Sequence, residues 1–432
     1  MSAQNTAGTP QTEQLSTPMK RRSGGMSTGA AIAIAIVLLI VGIAGGYFLG
    51  KSTNSTSTPS TINLTETGSS LLYPLFKDYW FPNYTASNVV LSAASTGSGT
   101  GQSSAELGLV NIGASDGYLS NASTTNLINF PVAISAQLIY YNLPAPLNAV
   151  HLNLNGTILA EIYEGTITTW DNPLILAAQS PTVATELSAM SAQTIYTVKR
   201  SDSSGDTFLF TSYCYMSWSG FTYPVSTSGL SGLTGTDVLT GDGNSGMVST
   251  AKGQVGSIAY IGISYEASAA AAGLEYAALG DNATLANGTY AAAASDYILP
   301  TATTISNDAN LGLNRLEFST YGLAVSLILG GSYAGAIDLV HGGGGTTAAA
   351  GVAAYPIVNL EYALIKTVPG GTVVTAAALA ATVAFMHWAL SYGNYNSAGA
   401  PSAWIDGVNF VPLTPQVIGY DNVELASVSG IS

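Results

Sequence analysis

The stretch 198-VKRSDSSGDTFLFTSY-213 contains a scarce cation. Of ten Lys/Arg in 432 residues, Lys77, Lys199, Arg200, Lys252, Arg315 and Lys366 are those beyond position 51. Two acids, Asp202 and Asp206, flank a Ser/Gly turn that follows a β-like run and opens an apolar one. The spacing predicts strand, turn, then helix. A helix start at Ser204-Gly205 offers free N–H groups and the positive end of the peptide dipole, both suited to an anion. Serine and glycine allow close approach and add hydroxyl donors. A scarce arginine beside such a helix start adds to the case for an anion.

The same grammar recurs in 67-TGSSLLYPLFKDYW-80 and 95-STGSGTGQSSAEL-107. One such turn is ordinary capping. Three on one chain, with an arginine beside the third, point to an anion site. Around them NVVLSAAS, NIGASD, NFPVAISAQLIYYNLP, GSIAYIGIS and YPIVNLEYALIK read as strands, and TVVTAAALAATVAFMHWALSYG as a helix. This is an α/β pattern. The Gly/Ala/Thr-rich segments 225–250 and 329–351, with HGGGG at 341–345, read as irregular connections.

Composition narrows the partners. Charged residues are 8% of the chain, and all but Glu13 of its 24 Asp/Glu lie beyond position 51. Such a surface repels nucleic acid and anionic lipid. The single cysteine, Cys214, excludes an internal disulfide and reads as a small buried residue. Ala30 to Leu49 is uncharged and long enough to cross a bilayer, and Lys20-Arg21-Arg22 before it places residues 1–29 in the cytoplasm. A cleaved signal peptide is the rival reading. Residues 50–62 read as a Ser/Thr/Pro stalk. Asn54, Asn63, Asn83, Asn121, Asn155, Asn282 and Asn287 are glycosylation acceptors by motif. A membrane-anchored extracytoplasmic glycoprotein is expected. His151, His341 and His387 lack metal-ligand spacing, and no nucleophile–base set assembles, so neither enzyme activity nor a metal or other cofactor is expected.

Taken together, TGSSLLYPLF, STGSGTG, NIGASDGYLS, LAEIYEGTITTWDNP, VKRSDSSGDTFLFTSY and GNSGMVSTAKGQVGSIAYIGISY resemble the phosphate-binding proteins (PstS type) of high-affinity phosphate importers. The resemblance runs in order through most of residues 64–427 and is poor from 267 to about 354. It implies a two-lobed α/β, type II solute-binding fold, with residues 63–141 plus 357–432 as one lobe and 142–356 as the other. Two strands near 138–143 and 355–362 would form the hinge. The implied protein is a monomer that captures inorganic phosphate and delivers it to an ABC permease.

The resemblance also implies ligand residues. Ser98 falls where the family donates a hydroxyl and an N–H, and Asp116 where an acid accepts the ligand's proton. Arg200 matches the arginine that pairs with phosphate oxygens, and Asp202 the carboxylate that holds it. Ser204 and Gly205 match donors at the second-lobe helix start. The family usually has Thr-Phe where this chain has Leu72-Tyr73; the Tyr73 N–H remains as a donor and Ser70 replaces the lost hydroxyl. Asp206 stands where the family more often has Thr. A second acceptor there suits dihydrogen phosphate, and a plain helix-capping role is the alternative.

An ionised Asp116 accepts only from an anion that carries a proton, as hydrogen phosphate does and sulfate does not. The unpaired contact costs about 1–3 kcal/mol, which separates the two anions. Other readings are a sulfate, molybdate or tungstate binder, a phosphatase-like envelope enzyme, or a structural surface protein.

Overall fold

A fifteen-residue strand, Leu127–Tyr141, ties the molecule together. Its residues are almost all buried, as its apolar, β-branched sequence requires of a strand covered on both faces. The computed structural model describes residues 60–119, 126–280, 297–314 and 353–430, all within the unit Ser57–Ser432. The expected anchor at 30–49, the cytoplasmic tail, most of the stalk, segment 329–351, His341, and acceptors Asn54, Asn121, Asn282 and Asn287 lie outside the described residues. Among the described residues, no helix is long and apolar enough to cross a membrane.

The strands are β1 (Ile62–Gly68), β2 (Val89–Ser95), β3 (Ile112–Ser115), β4 (Leu127–Tyr141), β5 (Asn153–Leu154) and β6 (Tyr196–Arg200). After them come β7 (Val238–Gly241), β8 (Ser257–Gly262), β9 (Glu275–Tyr276), β10 (Ala278–Gly280), β11 (Tyr297–Ile298) and β12 (Val358–Lys366). The main sheet has the order β2-β1-β3-β12-β4-β8-β6-β7, with β9 also on β4. The first part of β4 pairs antiparallel with β12, from Leu127↔Lys366 to Ala136↔Val358. Its last five residues pair with β8, from Gln137↔Gly262 to Tyr141↔Ile258. One strand thus belongs to two half-sheets. The β4–β12 ladder slips between Glu361 and Tyr362, opposite Pro131. Proline has no N–H to give a ladder, so the irregularity falls where the sequence demands it.

Each half-sheet contains the same parallel unit. In one, β1 lies between β2 and β3; in the other, β6 lies between β7 and β8. The connections carry α1 (Ser98–Glu106) in the first, and α3 (Gly205–Ser217) and α4 (Gly243–Gly253) in the second. Between them in sequence comes α2 (Gly156–Tyr163); α5 (Ala302–Asn314), α6 (Ala376–Ser391) and α7 (Pro415–Ala426) follow. This winding turns the carboxyl ends of the inner strands, and the helix starts after them, toward a shared crevice.

Two sequence expectations are corrected. Segment 225–250 is not all irregular, because it holds β7 and the first two turns of α4. Gly, Ser and Thr disguise that helix, but Met247, Val248 and Ala251 recur at helical spacing and are buried. Asn155 is not a glycan acceptor in this fold. It is 3% exposed, and its side chain caps α2 by accepting from the Ile158 N–H at 2.9 Å. Asn63 and Asn83 are exposed. The poorly matched region contributes β10 and β11, which join β5 in a separate three-stranded sheet. Cys214 is buried.

Candidate functional site

Arg200 ends β6 with its side chain 1% exposed, and it is the only arginine among the described residues. Nε donates to Asp202 Oδ1 at 2.7 Å and Nη2 to Asp202 Oδ2 at 2.5 Å, a two-pronged grip. Nη1 donates to Asp206 Oδ2 at 2.7 Å. Two acids hold the arginine, where the sequence reading expected one. Lys199 is no competitor as the site's cation: its ammonium donates to the carbonyls of Leu230 and Leu233 at 2.8 and 2.7 Å. A cleft of about 330 Å³, lined in part by Ser201, Ser203 and Thr227, borders the Arg200–Asp202 pair.

The three Ser/Gly turns meet here, and a fourth joins them. The Gly99 N–H donates to the Ser203 carbonyl at 3.1 Å, so α1 begins against the turn that precedes α3. Gly97 is required at that approach: its φ is +86°, and a Cβ would stand 2.4 Å from Asp202 Oδ2. The fourth turn is 242-DGNSG, at the start of α4. The Asn244 N–H and side-chain amide both donate to Ser70 Oγ, at 3.1 and 3.0 Å. The same amide donates to Asp206 Oδ2 at 2.8 Å, and Asn244 Oδ1 accepts from the Gly262 N–H at 2.9 Å. One asparagine therefore links both half-sheets.

Asp116 follows β3 and is buried. Ser69 Oγ donates to its Oδ1, and Ser98 Oγ donates to its Oδ2 at 3.1 Å. Gly205 abuts it so closely that a Cβ would come within 2.4 Å of the Asp116 Cβ. Ser204 caps α3, accepting from the Thr207 N–H at 3.4 Å. Ser70, Ser98, Asp116, Arg200, Asp202, Ser204, Gly205 and Asp206 are thus gathered in one place. Leu72 and Tyr73 are not free donors. The Leu72 N–H bonds to Ser69 Oγ at 3.0 Å, and the Tyr73 N–H closes a turn on the Ser69 carbonyl at 3.1 Å. The hydroxyls at this turn belong to Ser69 and Ser70. Asp206 is not a plain cap either. It is fully buried, and besides Arg200 and Asn244 it accepts from Gln137 Nε2 at 3.3 Å.

The electrostatics follow from one cation among several acids. Burial pushes Asp206 up to about 7, with the Asp116 charge adding to it against Arg200, Asn244 and Gln137. Burial also works against the Asp202 charge, but the hydrogen bonds and charge of Arg200 outweigh it and hold Asp202 below its ordinary value. For Arg200 burial opposes the charge, yet Asp202 and Asp206 overcome it and raise the pKa. Sequence reasoning missed Ser69, Gln137 and Asn244. Asn244 had a signal, since DGNSG repeats the Ser/Gly helix-start grammar after a short strand; Gln137 had none, being one polar residue in an apolar run. Among the described residues, no group of three or more His, Cys, Asp or Glu is placed to hold a metal.

Residues 53–391 match the model of the PBP superfamily domain. The phosphate-binding protein PstS of Methanocaldococcus jannaschii is 29% identical over 249 residues, covering 54% of this chain and 62% of that protein. The protein of the same name from Haemophilus influenzae is 32% identical over 153 residues, 35% of this chain and 44% of its own length. This chain therefore spans less than two thirds of the relatives it matches. In fold it is similar to a phosphate-binding protein from Stenotrophomonas maltophilia (TM-score 0.57, 17% identity, 84% of this chain and 94% of that one). A high-affinity periplasmic phosphate-binding protein solved with phosphate gives a TM-score of 0.56 at 18% identity, over 84% and 93% of the two chains. With an α/β solute-binding fold and a family match over most of its length, the chain belongs to the PBP superfamily.

Proposed function

We propose that this chain is the extracytoplasmic phosphate-binding component of an ABC import system, gripping one hydrogen or dihydrogen phosphate between its two half-sheets. The observation that carries this is the meeting of four Ser/Gly turns from both half-sheets around Arg200 and Asp116. Helix starts and serine hydroxyls supply donors for phosphate oxygens, and the arginine adds a fixed fork. Asp116 supplies the acceptor. An ionised carboxylate offers about four lone-pair sites, and Ser69 and Ser98 leave some of these for a proton on the ligand. The names of the relatives agree with this ligand.

Ser70, Ser98, Arg200, Ser204 and Gly205 would face the phosphate oxygens, with Leu72 and Tyr73 removed; Ser69 positions Asp116, and Asn244 positions Ser70 and Asp206. Asp202 positions Arg200. The two half-sheets act as lobes that open and close about β4 and β12, as in other two-lobed binders. Residues 30–49 anchor the binder in the membrane, which raises its effective concentration at the permease. Calorimetric titration of phosphate and of sulfate into the purified chain tests the reading. Phosphate binding at least about 100-fold tighter than sulfate is expected, the size of a lost buried hydrogen bond added to charge repulsion. Equal binding of both anions, or of neither, rejects it.

A further inference from the structure

Glu361 lies on β12 with no exposure, in a strand that is otherwise mostly apolar. Its Oε1 accepts from Ser135 Oγ at 2.5 Å and from Asn359 Nδ2 at 3.0 Å. Its Oε2 is buried and has no hydroxyl or amide donor. Asn359 Nδ2 also donates to the Asp116 carbonyl at 2.6 Å, and β12 pairs with β3 through Tyr362↔Ser115, so Glu361 and Asp116 are buried neighbours. Two ionised carboxylates present only lone pairs and cannot bond one another. Two buried charges side by side, one with an oxygen that lacks a donor, are too costly, so the pair holds a proton. Asp116 already receives one hydroxyl on each oxygen, from Ser69 and Ser98, whereas Glu361 Oε2 receives none. The proton therefore belongs on Glu361 Oε2.

We infer that Glu361 is a specificity-determining positioning residue of the anion site: as a neutral acid it donates to Asp116 and keeps Asp116 an acceptor for the ligand's proton. This rests on the phosphate reading above. With Ser69, Ser98 and Glu361 all donating, about one of the four lone-pair places of Asp116 is left, enough for a single ligand proton. The charged group facing Glu361 is Asp116, after β3; Ser135 from β4 and Asn359 from β12 are neutral. Arg200, the nearby cation, is paired with Asp202 and Asp206 and makes no bond to Glu361. Burial first, and then the Asp116 charge, push Glu361 well above the usual carboxylate range.

The test compares wild type with Glu361→Gln, which keeps a donor toward Asp116, and Glu361→Met, which fills similar space with none. At about pH 6 the infrared spectrum of wild type contains a protonated-carboxyl band that Glu361→Gln lacks. By titration, Glu361→Gln keeps phosphate binding within about fivefold of wild type, while folded Glu361→Met loses about 30-fold and most of its preference over sulfate. An unchanged band, or equal losses in the two variants, overturns the inference. Should wild type bind neither anion, the functional reading falls, and the infrared comparison still decides where the proton sits.

Discussion

Asp206 is the residue at which this site departs most from the simple picture of an arginine and its single acid. Held near 7 by burial and by Asp116, it is a neutral acid in mildly acidic surroundings and an anion above neutrality. As a neutral acid it removes one negative charge from a site that must admit another. We predict that wild-type affinity for phosphate falls about tenfold or more between pH 5 and pH 8, while Asp206→Thr changes by less than about threefold. Parallel pH profiles in calorimetry would sink this. Gly205 supplies a second prediction. Gly205→Ala puts a methyl 2.4 Å from the Asp116 Cβ and 2.9 Å from its Cα. Backbone cannot yield as a side chain does, so the half-sheets must part. Phosphate binding should weaken about 30-fold or more with a small change in melting temperature, because the clash lies at the crevice and not in a core.

At the scale of elements, α4 is positioned by its buried Met247, Val248 and Ala251 and by one asparagine. Asn244 ties the helix to β8 through Gly262, to the β1 turn through Ser70 and to α3 through Asp206. Asn244→Ala leaves the Gly262 N–H and part of Asp206 without partners. A loss of about 1–3 kcal/mol in urea unfolding is expected, along with weaker phosphate binding. Asn155→Ala at the α2 cap should cost about 1 kcal/mol and leave phosphate binding unchanged, since α2 begins against Ser217, at the end of α3 opposite the cluster. Loss of binding there would mean that α2 is coupled to the site.

For the whole molecule, acids raised by folding set the response to pH. Asp206 binds its proton up to about 7 when folded, against an ordinary aspartate value of 3.8. Glu361 and Glu66 shift in the same direction, with burial the first cause for each. Between these values the unfolded chain has released protons that the folded chain retains, so unfolding is favoured as pH rises. The Asp206 contribution is present in full below about pH 4 and is lost as pH approaches 7, a few kcal/mol in size. The ligand-free protein should melt at a higher temperature near pH 4 than near pH 7, and Asp206→Asn should reduce the difference. A melting temperature that rises across this interval contradicts the assignment. If the half-sheets close about β4 and β12, phosphate should also reduce the radius of gyration seen by small-angle scattering.

Local residue chemistry was readable in advance. The strand runs, the helix Ala376–Ser391 and the three Ser/Gly turns follow from periodicity and capping that act over a few residues, while the pairing of Arg200 with Asp202 was implied by the family resemblance. What the tertiary structure alone decided involves groups distant in sequence. Asp206 turned out to be a second partner of Arg200 because α3 begins directly beside the end of β6. Tyr73 is not a free donor because the first turn spends its N–H on the Ser69 carbonyl. Glu361 meets Asp116 only because β12 lies between β3 and β4. Sequence spacing carries short-range backbone geometry, whereas the proton on a buried carboxyl depends on which donors the fold brings to it from elsewhere.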